Sequence, residues 1–144
     1  MKIIAVTLGE PAGIGPDLGV LLAQKNLSKN IIFIADPDLL QISAKILKKS
    51  IKINILKNIS SKTIAGNKTI NVLPIKLNTK NKPGKLNPKN SAYVLDTIRA
   101  AAELCITGEI GAMVTGPISK SVLNKGGYKI SGHTEFLADI CKTK

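Results

Sequence analysis

A chain of 144 residues with 44% hydrophobic content holds one compact domain with a real core and is too short for two ordinary ones. Its net charge of +12 does not mark a nucleic-acid binder: Arg99 is the only arginine among 21 basic residues and aromatics are 3%, whereas phosphate and base readout use the bidentate guanidinium and stacked rings. The apolar start, Ile3 to Leu8, is broken at Gly9 and Glu10, which excludes a signal-peptide core and a membrane span of about 20 residues. Neither a membrane nor a nucleic acid is therefore an expected partner, and the cytoplasm is the expected location. Lys2 to Leu8 reads as a strand ending at Gly9, and Pro16 to Gln24 has the Leu/Val spacing of a helix whose start is set by Gly15 and Pro16. Ile31 to Ala35 is an uninterrupted apolar run suited to a strand covered on both faces, and Asp36 then Pro37 cap a helix reaching about Lys48. Ile51 to Leu56 and Thr69 to Leu73 read as two further short strands. Pro74 to Asn87, with Pro83 and Gly84, reads as an exposed polar loop.

Asn87 is expected as an N-cap with Pro88 at the first helical position, opening a helix marked by Leu95, Ile98, Ala102 and Cys105 and ending near Gly108. Gly111 to Thr115 reads as a strand, Gly116 and Pro117 as a turn, and Ile118 to Asn124 as a small helix closed by Gly126 and Gly127. Thr134 is expected to cap a last helix, Glu135 to about Cys141. Alternating strands and helices predict an α/β fold, a mostly parallel sheet with helices on both faces, as one unit over 1–144 without repeat, linker or low-complexity tract. Lys48, Lys49, Lys52 and Lys57, and again Lys76, Lys80, Lys82 and Lys85, read as a solvated basic face. Cys105 and Cys141 lack CxxC or Cys/His spacing and are expected as reduced structural thiols, not as a disulfide framework or a zinc site.

Two Gly-rich segments stand where a strand passes into a helix: Gly9 to Asp17 (GEPAGIGPD) and Thr115 to Phe136 (TGPISKSVLNKGGYKISGHTEF). In a parallel sheet such turns lie at the carboxyl ends of strands, where helix N-termini aim unpaired N–H groups at anions. The first is not a dinucleotide fingerprint, because Leu18 stands where a third glycine belongs after Gly13 and Gly15, and it lacks the Gly-Lys-Ser/Thr ending of a P-loop. Taken alone, tight turns and phosphate contact are equally served by it.

Gly9-Glu10-Pro11-Ala12-Gly13-Ile14-Gly15-Pro16-Asp17, Gly84-Lys85-Leu86 leading to Tyr93, Thr115-Gly116-Pro117 with Lys120, and Gly132-His133-Thr134-Glu135-Phe136 follow one another through the chain. Together they resemble the 4-hydroxythreonine-4-phosphate dehydrogenase family of vitamin B6 synthesis, over essentially the whole chain. The resemblance implies the isocitrate/isopropylmalate dehydrogenase-like fold, of which this chain would be the N-terminal part. It further implies oxidation of 4-phosphooxy-threonine by NAD or NADP, and loss of carbon dioxide from the resulting β-keto acid. A divalent metal, zinc with magnesium and cobalt as alternatives, would hold the substrate hydroxyl in a homodimer. In the family the metal-holding histidines lie in a half beyond these residues, so this chain alone is expected to bind no metal, and a separate chain carrying that half is a possible partner.

The resemblance carries substrate binding onto His133 and Thr134, whose imidazole and hydroxyl both donate and accept. Lys120 is a candidate point charge for the substrate phosphate, or else a solvated side chain. Gly9, Glu10, Gly13 and Gly15 are candidates for a ligand-facing turn, with Glu10 orienting an amine or only satisfying local donors. Asp17 is accounted for by the helix dipole. No catalytic residue and no metal ligand is assigned. Two alternatives stay open: a related dehydrogenase of a four-carbon sugar-acid 4-phosphate, and a non-catalytic remnant or half of a split enzyme. An isolated chain of this kind is expected to expose a sheet edge and an apolar face and to self-associate.

Overall fold

Short apolar runs alternating with proline-started helices become a single sheet in the computed structural model, which describes residues 2–142. Its strands are β1 (Ile4–Thr7), β2 (Ile31–Ala35), β3 (Lys52–Ile55), β4 (Thr69–Pro74) and β5 (Ala112–Thr115), in the order β3-β4-β2-β1-β5. Every pairing is parallel. Helix α1 (Gly15–Ala23) connects β1 to β2, α2 (Pro37–Ile46) connects β2 to β3, and α3 (Ser91–Ile106) leads from β4 into β5. Two short helices, α4 (Lys120–Lys125) and α5 (His133–Cys141), follow.

The pleat sends alternate residues to opposite faces. Leu8, Phe33, Ile70 and Val72 pack with Val20, Ala23, Leu40 and Ala44 of α1 and α2 on one face. Ala5, Ile32 and Ile34 pack with Ala101 of α3 and with Ile110 on the other. Both faces of β2 are therefore covered, which is why its sequence is apolar without alternation. Each fully buried Ile or Phe of this set contributes about 1.5–3 kcal/mol. A third cluster joins Tyr93, Val94, Leu95 and Ile98 of α3 to Leu123 of α4, with Phe136 and Leu137 of α5 against it.

Asp36 ends β2 and organises the carboxyl edge. Its Oδ1 accepts from Asp38 N at 2.9 Å, capping α2, its Oδ2 accepts from Leu77 N at 2.8 Å, and its own N–H donates to the Tyr93 hydroxyl at 3.2 Å. Burial pushes the Tyr93 phenol far above its ordinary range, so it stays a neutral partner. Segment 75–87 contains no strand of the sheet, as expected, yet it is tied down and not free. Asn81 Nδ2 donates to Pro11 O at 2.8 Å, Gly84 N to Ala12 O at 2.8 Å, Thr79 N to Asn90 Oδ1 at 2.9 Å, and Tyr93 N to Asn78 Oδ1 at 3.0 Å.

The capping expectations need three corrections. Asn87 does accept from Lys89 N at 3.1 Å, but what it caps is a 3-10 turn, Pro88–Asn90, and α3 itself starts at Ser91. The small helix starts at Lys120, not Ile118, because Gly116 and Pro117 are hydrogen-bonded to Thr7 and Glu10 beside the first turn and Ser119 is still extended. Thr134 is not a cap: α5 begins at His133 after an extended Gly132, and no side chain caps it.

Candidate functional site

The two Gly-rich turns meet backbone to backbone at the carboxyl ends of β1 and β5, whose last residues Thr7 and Thr115 are in register. Glu10 N donates to Pro117 O at 2.9 Å, and Gly116 N to Thr7 O at 2.8 Å. Gly9 takes a φ of +72° and faces this contact: a Cβ there would overlap the Pro117 carbonyl oxygen and lie 2.8 Å from the carbonyl carbons of Gly116 and Pro117. At Gly15 a Cβ would overlap the Leu8 carbonyl oxygen. Both glycines are thus required by the approach of one chain segment to another. At Gly13 the nearest atom to such a Cβ, Glu10 O, is 3.3 Å away and the residue is exposed, so of the three it is the one that is not overlapped by another segment's carbonyl.

Glu10 is buried, with 7% exposure. Its Oε1 accepts from Ala12 N at 3.1 Å. Burial pushes the carboxyl pKa above its ordinary value, with the Ala12 N–H working against that shift. Its observed bonds are those of a residue that shapes the turn. Beside the two turns lies a cavity of ≈ 190 Å³ lined by Val6, Leu18, Leu22, Val114 and Pro117. That lining is apolar and gives no cradle for a phosphate.

The polar groups gather one segment further on. His133 is the first residue of α5 and is half-buried, and its Nε2 is buried with no hydrogen-bond partner among the described residues. A buried ring nitrogen without a partner costs free energy. Gly132, just before it, is flanked by two charges: a Cβ there would lie 3.3 Å from Glu135 Oε2 and 3.5 Å from Lys120 Nζ. Lys120 and Glu135 therefore flank Gly132 directly before His133, with Thr134 exposed on the first turn of α5. The first-turn N–H groups of α5 and its dipole favour a negative group there. The structure does not join Glu10 to this group: among the described residues no hydrogen bond or ion pair links Glu10 with Lys120, His133 or Thr134. The proximity of Glu135 and the strapping by Asn81 and Gly84 were missed in the sequence. The first carries a helical spacing signal, since Gly132 and Glu135 are three apart, and the second carries none.

The residues present do not fit the implied metal. Among the described residues no three His, Cys, Asp or Glu side chains come together as a ligand set. Nor do they fit a dinucleotide pyrophosphate in the first turn, where the space beside Gly9 and Gly15 is filled by the chain's own carbonyls. No helix among the described residues is long and apolar enough to cross a membrane.

An open, all-parallel sheet with helices on both faces defines the class, that of layered α/β proteins. Residues 27–144 match the family model "Pyridoxal phosphate biosynthetic protein PdxA", and the chain belongs to that family. It is 43% identical over 141 residues to a 4-hydroxythreonine-4-phosphate dehydrogenase of Saccharophagus degradans, covering 98% of this chain and 42% of the relative. It is 42% identical over 139 residues to the enzyme of that name from Methylococcus capsulatus, covering 95% of this chain and 42% of the relative. The crystal structure of 4-hydroxythreonine-4-phosphate dehydrogenase from Klebsiella pneumoniae superposes with a TM-score of 0.87 at 25% identity, covering 100% of this chain and 46% of that one. A structure of a terephthalate 1,2-cis-dihydrodioldehydrogenase from Burkholderia xenovorans, at 19% identity and a TM-score of 0.76, shares the fold. The chain thus spans under half the length of these relatives, as their N-terminal part.

Proposed function

We propose that this chain supplies the substrate-binding part of an NAD- or NADP-dependent 4-hydroxythreonine-4-phosphate dehydrogenase. The reaction would convert 4-phosphooxy-L-threonine to a β-keto acid that loses carbon dioxide to give 3-amino-2-oxopropyl phosphate, in pyridoxal phosphate synthesis. The observation that carries the reading is the buried, unpartnered Nε2 of His133 at the start of α5, on the residue after Gly132, whose backbone Lys120 approaches, within the matched family region. A substrate hydroxyl or phosphate oxygen would satisfy that nitrogen, which can donate or accept a hydrogen bond. The Lys120 ammonium would face the phosphate as a point charge, and the Thr134 hydroxyl would supply a further donor and acceptor. Glu10 keeps the adjoining turn in shape and has no part in the chemistry.

The nicotinamide cofactor and a divalent metal belong to the proposal as a whole, held by a second polypeptide segment like the one the relatives carry, either a separate chain or part of a homodimer. When bound they supply hydride acceptance and polarisation of the substrate oxygen. A phosphorylated metabolite and a soluble cofactor place the reaction in the cytoplasm.

The test is co-expression of this chain with the portion of the Saccharophagus degradans relative that follows the matched region, assayed for reduction of NAD and of NADP with 4-phosphooxy-L-threonine. Turnover that requires both polypeptides supports the reading. Turnover only with threonate or erythronate 4-phosphate would move the chain to a sister activity. A stable complex with no turnover on any of these would make it a non-catalytic binding unit.

A further inference from the structure

α3 and α5 pack against each other, and contacts at two levels point to a shared direction. At the start of α3, the Ser91 hydroxyl donates to Val122 O at 3.3 Å, and a Cβ on Gly126 would collide with Ser91, so the chain leading into α5 sits at this end. Further along, Arg99 lies over the Phe136 ring at 5.7 Å, and Ile98 and Leu137 belong to one apolar cluster. From that level Cys105 is about 9 Å farther along α3 and Cys141 about 7.5 Å farther along α5, at the helical rise per residue. Cys105 follows Ile98 by two turns and Cys141 follows Leu137 by one, spacings that bring each thiol round toward the side by which its helix meets the other, while Cys105 also rests against the Ala101 and Ile110 side of the core. Both are free, Cys105 partly buried and Cys141 exposed. In accord with this, burial and the neighbouring Cys141 thiol push the Cys105 pKa up.

We propose that Cys105 and Cys141 form a redox-responsive pair that closes a reversible disulfide, stapling the end of α5 to α3 when the surrounding thiol pool turns oxidising. None of the α5 residues is fully buried, so this helix is held by few contacts and has the most to gain from a covalent tie. Its first turn carries His133 and Thr134. The staple would therefore restrict the helix that presents the candidate site. The pairing is independent of the dehydrogenase reading, and only its consequence for the site rests on it.

The chemistry balances with a disulfide such as oxidised glutathione as the two-electron oxidant. The more exposed Cys141, as thiolate, attacks one glutathione sulfur, whose S–S bond breaks and releases one glutathione thiolate. The Cys105 thiolate then attacks the Cys141 sulfur, forming the internal bond and expelling the second glutathione. The two protein protons end on the two departing glutathione thiols.

The experiment treats the dilute, reduced full chain with oxidised glutathione and reads thiol titration, non-reducing intact mass and a tryptic peptide map. The expected result is loss of both titratable thiols in a monomer lighter by two hydrogens, with one peptide joining Cys105 to Cys141. Cys105→Ser should instead stop at a glutathione adduct on Cys141, and amide exchange in α5 should slow only in the oxidised wild-type chain. Stable glutathione adducts on both cysteines of the wild type, or disulfide dimers without the internal link, would overturn the proposal. The wild-type mass decides it even if a variant folds poorly.

Discussion

Gly15→Ala is the substitution for which the structure gives the sharpest number. Gly15 begins α1 directly beneath the end of β1, and an added Cβ would overlap the Leu8 carbonyl oxygen and sit 2.7 Å from its carbon. Both atoms are backbone, so no side chain can swing away. Alanine would otherwise favour a helical position by about 1 kcal/mol, and overpacking in a tight site costs about 1–3 kcal/mol or more. With the backbone of Leu8 directly in the way the upper end applies, a net loss of about 2 kcal/mol, equivalent to a fall in Tm of roughly 5–10 °C for a domain of this size. Urea and thermal unfolding read it, with Gly13→Ala as the milder comparison, because its nearest atom, Glu10 O at 3.3 Å, needs to give by only a few tenths of an ångström, and a smaller loss than for Gly15→Ala is expected. A Gly15→Ala chain as stable as the parent would refute the argument that this glycine is required by the meeting of the strand end and the helix.

Other expectations follow from the same geometry. Tyr93→Phe leaves the Asp36 N–H without its 3.2 Å partner and should cost about 1–3 kcal/mol in unfolding free energy; no loss would mean that water replaces the hydroxyl. The Glu10 carboxyl has a folded-state pKa above its unfolded one, so its ionisation opposes folding: stability from this group is greatest at acid pH and declines as pH rises through the carboxylate range up to the raised value. Glu10→Gln, which keeps an acceptor for Ala12 N, should therefore unfold later than the parent at neutral pH and lose that advantage in acid, as read from denaturation midpoints against pH. On the edge strand β5, Val114 is 53% exposed near Leu18 and Leu22, themselves 45% and 43% exposed. Val114→Lys should reduce self-association in light scattering at unchanged thermal stability.

What could be read in the residues was what local chemistry dictates. The apolar run Ile31 to Ala35, with Asp36 and Pro37 behind it, defined β2 and α2 because strand burial and helix capping act over a few residues. The parallel direction of the strands and the turns at the carboxyl edge followed from the alternation of elements, whereas the strand order β3-β4-β2-β1-β5 did not. What escaped notice depends on distant partners. Gly9 and Gly15 read as equally suited to a turn or a phosphate, and only the carbonyls of Pro117 and Leu8 lying against them show what they accommodate. Segment 74–87 looked like a free loop because nothing in its composition reveals that Asn81 and Gly84 bind the first turn. Thr134 resembled a cap by residue type, yet the extended Gly132 lets the helix start one residue earlier. Cys105 and Cys141, far apart in the chain and without a spacing motif, are brought level only by the packing of α3 on α5.

Whether His133 at the head of α5 holds a phosphorylated hydroxy-amino acid is read by calorimetric titration of the chain with 4-phosphooxy-L-threonine. The prediction is saturable binding that His133→Ala weakens at least about tenfold, or about 1.4 kcal/mol, at an unchanged unfolding midpoint. Equal affinity in the two proteins, or no binding by the parent, would contradict it.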